Sequence, residues 1–145
     1  MRGRLEVAEL LIERGADVDT RDRYDWTPLI AASRCRMLEV ARLLLDYGAD
    51  VNTQMRNHDT ALHLASYYGE FKIVRLLLER GANVDVRDAD GQTPRQIATQ
   101  AGYRRIVGLL SCCGEQDDRR GAIHYFKCCS IRYSSLTSPQ SATRS

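Results

Sequence analysis

Residues 38–52 read LEVARLLLDYGADVN, and the same pattern recurs without a gap elsewhere in the chain. It stands at residues 5–19 as LEVAELLIERGADVD, at 71–85 as FKIVRLLLERGANVD, and at 104–115 as RRIVGLLSCCGE. The glycines of the four copies, Gly15, Gly48, Gly81 and Gly114, are each 33 residues apart. Within a copy, leucine and isoleucine cluster at Leu43, Leu44 and Leu45, while Glu39, Arg42 and Asp46 recur three and four apart. That spacing places the polar set on one stripe of a helix and the apolar set on another. The glycine that follows supplies the left-handed residue that ends such a helix.

A second pattern precedes the first with the same period. WTPLIAAS at 26–33, DTALHLAS at 59–66 and QTPRQIAT at 92–99 align on Thr27, Thr60 and Thr93. Threonine is a good N-cap because its hydroxyl accepts an unpaired backbone N–H of the first turn. Pro28 and Pro94 suit the first helical position, where the missing N–H costs nothing. Ala61 in the middle copy removes only that preorganisation. Short helices ending near Arg34, Tyr67 and Gln100 follow. Each unit is thus two helices and a turn, too short to be stable alone in water, so it must bury its apolar stripe on the next unit.

The 33-residue period, the Thr-Pro and the Leu-Leu-Leu-x-x-Gly-Ala together resemble the ankyrin repeat, whose mark is Thr-Pro-Leu-His-x-Ala. The resemblance covers about residues 1–114 and implies an all-α solenoid of stacked helix-turn-helix units joined by hairpin loops. The copies depart from the pattern in places: His63 alone keeps the histidine, Ile30 and Gln96 replace it, and Arg95 stands where Leu29 and Leu62 do. We expect a repeat domain over 1–116, with a half repeat at 1–14 and repeats at 15–47, 48–80 and 81–114. Leu5, Ala8 and Leu11 should lack a covering first helix, which reads as a fragment of a longer array. Arg95 suits an outermost unit whose far face meets water. The register fails after Gly114, and residues 117–145, rich in serine and threonine, are expected to be a disordered tail.

The totals exclude several function classes. The 145 residues are 43% hydrophobic and 28% charged, as in a soluble folded chain, and a net charge of +2 offers no basic field for nucleic acid. No apolar run spans a membrane, and Glu6 and Glu9 interrupt the N-terminal stretch that a secretory signal would need. An intracellular chain, cytoplasmic or nuclear, is the simplest reading. The five cysteines, Cys35, Cys112, Cys113, Cys128 and Cys129, show no framework spacing and are expected to be reduced thiols. Cys112 shares the polar register of Glu13, Asp46 and Glu79, so it should be exposed. Cys113, His124, Cys128 and Cys129 match no zinc pattern. An acyl anchor at Cys128 and Cys129 is the sharper alternative for the tail. No nucleotide, hydrolase or metalloprotease motif occurs, and Asp17, Asp19, Asp22 and Asp25 read as turn chemistry. No catalytic residue, cofactor or metal is therefore assigned.

What remains is a surface for a protein partner. The resemblance implies that partners contact the hairpin tips and the concave face of the first helices. Carried over position by position, the tips supply Arg23, Tyr24 and Trp26, then Arg56, Asn57 and Asp59, then Asp90 and Gln92. The first-helix ends supply Arg34, Tyr67 and Tyr68. Tyrosine, tryptophan and arginine are the types enriched at interface hot spots. The expected protein is a monomeric, non-enzymatic scaffold. Its alternative is the substrate-recruiting fragment of a larger multidomain enzyme such as a ubiquitin ligase or kinase.

Overall fold

The computed structural model describes residues 2–114. Among them are seven helices and no strand: α1 (Arg2–Glu13), α2 (Pro28–Arg34), α3 (Leu38–Asp46), α4 (Ala61–Tyr67), α5 (Phe71–Glu79), α6 (Pro94–Ala101) and α7 (Arg104–Gly114). The expectations for residues 117–145, including His124 and the pair Cys128 and Cys129, lie outside the described residues.

Each first helix begins as its sequence dictates. Thr27, Thr60 and Thr93 are extended, and their hydroxyls accept the backbone N–H of Ile30, His63 and Gln96 at 3.3–3.4 Å. In the second and third copies the bond is reciprocated. The Thr60 N–H donates to His63 Nδ1 at 3.1 Å, and the Thr93 N–H donates to Gln96 Oε1 at 2.9 Å. These are capping boxes, and glutamine performs the same task as histidine at that position. Ile30 has no acceptor to offer, so the first copy keeps half the motif. Gly15, Gly48 and Gly81 take φ of 94°, 88° and 87°, ending the second helices as expected. At the fourth copy the expectation fails: α7 runs on through Gly114.

The helices stack in two rows. α2, α4 and α6 pack on one another in sequence, α1, α3, α5 and α7 do the same, and α2 packs on α3, α4 on α5 and α6 on α7. The core lies between the rows, with Leu44, Leu62, Ile73, Leu77, Ile106 and Leu110 at 3% exposure or less. Leu11, the equivalent of Leu44 and Leu77, is 56% exposed, because α1 packs on α3 and no first helix covers it. Hydrogen bonds also follow the period. Asp19 Oδ1 accepts the Asp50 N–H at 3.0 Å, and Asn52 Oδ1 accepts the Asn83 N–H at 2.8 Å. Side-chain links of this kind tie each turn to the next one along.

The cysteines of α7 correct the sequence reading. Cys112 is buried, at 1% exposure, although Asp46 in its register is exposed. The Asp46 and Glu79 carboxylates need water, whereas a cysteine side chain behaves as a small hydrophobe with no charge to hydrate, so burial costs it little. Cys113 is disulfide-bonded, against the expectation of reduced thiols. Poor geometry argues only against a bond between neighbouring cysteines and leaves longer-range pairing open. Cys35 is an exposed free thiol. No helix of the described residues is long and apolar enough to cross a membrane.

Candidate functional site

The hairpin tips are built by side chains that hold their own backbone. Asp22 Oδ1 accepts the N–H groups of Tyr24 and Trp26 at 2.8 and 2.9 Å. Asp88, two repeats on, accepts those of Asp90 and Gln92 at 2.9 and 2.8 Å. The expected aspartate turn chemistry is therefore present. Adjacent tips are joined: the Ala89 N–H donates to the Asn57 carbonyl at 2.9 Å, and Arg56 pairs with Asp25 at 3.3 Å.

The structure divides the sequence-assigned surface residues into two groups. In the first repeat, Trp26 is half-buried and packs against the core, with the Arg34 guanidinium 5.1 Å from its ring centroid. Arg23 lies 5.8 Å from the centroid of the exposed Tyr24 ring. Trp26 is thus a packing residue on one side and a cation-stacked surface on the other. Between the second and third repeats, Asp59, Tyr67, Tyr68, Asp90 and Gln92 line a single groove of about 840 Å³. Tyr67 is 60% exposed and Tyr68 41%, their rings edge to face at 5.0 Å. The residues of the first group, and Arg56 and Asn57, do not line this groove. Asn57 instead donates to the Asp59 carboxylate at 2.6 Å.

Among the lining residues that sequence reasoning did not assign to the surface are Asp88 and Tyr103. Asp88 repeats Asp22 at twice the period, which was a usable signal. Tyr103 shares its register with Met37 and Glu70, and nothing in that mixed set marks it. The structure explains its place through Gly69: a Cβ there would meet the Tyr103 ring at 2.6 Å, so the missing side chain makes room for it.

At the floor of the groove sits His63, buried and fully engaged. Its Nδ1 accepts the Thr60 N–H, so the proton sits on Nε2, which donates to the Gln92 carbonyl at 3.2 Å. The histidine therefore bonds both within its own repeat and across to the next. Burial lowers its pKa from the ordinary 6.5, opposed by the nearby Asp59 carboxylate. Burial likewise raises the Asp59 pKa above 3.8; the Asn57 bond and His63 oppose this, and Asp88 and Asp90 add to it. Asp59, His63 and Asp88 bring ligand-type atoms within 4.8 Å of one another. They still make a poor metal set, because neither nitrogen of His63 has a lone pair to spare. The arrangement is better described as concentrated negative charge beside tyrosine rings.

A family model described as ankyrin repeats, in three copies, matches residues 1–55 and 52–120. A search of curated proteins finds no relative that matches the chain.

Proposed function

Because the chain belongs to the ankyrin-repeat family, whose domains are generally protein–protein interaction modules and typically non-catalytic, we propose that it is a scaffold holding a protein partner against its hairpin tips and first-helix face. The observation that carries this reading is the exposure of Tyr67 and Tyr68 at the end of α4, over the groove between the second and third repeats. Large aromatics cost free energy in water and gain it in an interface, where few rotamers need freezing. Trp26 with Arg34, and Tyr24 with Arg23, extend the same kind of surface to the first repeat. Arg56 and Asn57 serve the tips mainly by holding Asp25 and Asp59.

The test is affinity capture with wild-type bait and with bait carrying Tyr67→Ala and Tyr68→Ala. Both side chains are exposed, so the helical circular-dichroism signal and the melting temperature should stay unchanged while partners are lost. Retention of every partner by the double variant would refute the assignment of this face. Trp26→Ala is a second bait, read against its own melting curve, because its ring also packs on the core.

A further inference from the structure

We propose that the groove between the second and third repeats receives an arginine side chain of the partner, so that the segment bound there is a basic one. The inference rests on the reading of this face as a protein-binding surface and adds the chemistry of what it binds. Three carboxylates, Asp59, Asp88 and Asp90, line the groove with the rings of Tyr67, Tyr68 and Tyr103. No lysine or arginine among the described residues lines it. His63 is neutral there, its proton committed to the Gln92 carbonyl, so it cancels none of the charge.

The three carboxylates are not equally tied to the fold. Asp88 holds the hairpin through two backbone N–H groups, and Asp59 takes the Asn57 amide. Asp90 contributes its backbone N–H to the turn, which leaves its exposed carboxylate unneeded by the hairpin. Carboxylates gathered beside one another repel each other, and a cation between them relieves that repulsion. Arginine suits the remaining geometry better than lysine. Its planar guanidinium stacks on a tyrosine face while its fork donates to carboxylate oxygens. The same charges repel phosphate, which disfavours a nucleic acid in this groove.

The test begins with selection from a library of displayed random linear peptides on the full chain. Selected peptides should share an arginine. Synthetic versions are then measured by fluorescence anisotropy with arginine or its neutral isostere citrulline, on wild type, Asp90→Asn and Asp59→Asn. On wild type, arginine-to-citrulline exchange should weaken binding by about tenfold, the usual scale of a charge-assisted pair. On the aspartate variants the two peptides should bind more nearly alike, and the salt dependence of binding should shrink. Peptides that need Tyr67 but carry no arginine would overturn the inference and leave the interaction face standing. Arginine peptides indifferent to both aspartate variants, or a selection that yields no binder, would overturn it as well. Peptides whose binding survives Tyr67→Ala and Tyr68→Ala together would overturn both readings.

Discussion

Three residues stand with positive φ where glycine is the natural choice: Asp25 at 63°, Arg36 at 64° and His58 at 65°. Their counterparts one or two periods on are glycines, Gly91 for Asp25 and His58, and Gly69 and Gly102 for Arg36. A side chain in this region costs roughly 1–2 kcal/mol, partly offset by the entropy glycine loses on folding. His58→Gly should therefore stabilise the protein by about 0.5–1 kcal/mol in urea unfolding. The reverse exchange, Gly69→Ala, meets both the positive φ and the Tyr103 ring. It should destabilise by at least about 1 kcal/mol and alter Tyr103 fluorescence or its ring resonances. His63 sets a pH dependence. Its folded pKa lies below 6.5, so as pH falls the unfolded chain takes the proton first. The stability is fully present well above pH 6.5 and is lost as pH drops from there toward the folded value. His63→Gln keeps a capping acceptor, as Gln96 does, and should flatten the melting temperature between neutral and mildly acidic pH. Asp59 acts with the opposite sign at lower pH, since its raised pKa makes the folded chain the first to bind a proton.

At the scale of elements, the caps were legible residue by residue, and their unequal strength was not. All three threonines cap, but Thr60 also places its hydroxyl 2.9 Å from His63 Nδ1 in the buried floor of the groove. Thr60→Ala removes a cap and one of the contacts of a buried ring, whereas Thr27→Ala removes a cap alone. The former should cost about 2 kcal/mol and the latter about 1, measured by chemical denaturation of the single variants. The second helices show where register reasoning stops. Equal sequence positions take equal exposure only when their neighbours are equal. Asp46 and Cys112 share a position and differ in burial, and only the cysteine has no charge to keep hydrated. Sequence register also placed Tyr67 and Asp59 on neighbouring tips and ends, but whether they face one groove depends on helix packing.

The whole molecule is a stack whose stability is a sum of neighbour contacts, so a residue's importance follows its place in the row. Leu77 is fully buried between repeats, while Leu11, at the same register, is 56% exposed. Leu77→Ala should cost about 2–5 kcal/mol and Leu11→Ala under about 1 kcal/mol, read from urea midpoints at constant slope. Equal losses would mean that α1 is covered in solution. The last described repeat differs from the earlier ones, since Arg95 and Gln96 are exposed where Leu29, Leu62, Ile30 and His63 are buried.

The repeat, its helices, their caps and their polar stripes follow from the sequence alone, because each depends on residues within about one turn or one period of each other. Which aromatics stand free and which pack, that Cys112 is buried, and that three aspartates and three tyrosines surround one groove were decided by tertiary structure. These features join side chains from different repeats, and their distances depend on how the helices stack. A local pattern carries no information about that stacking beyond its period.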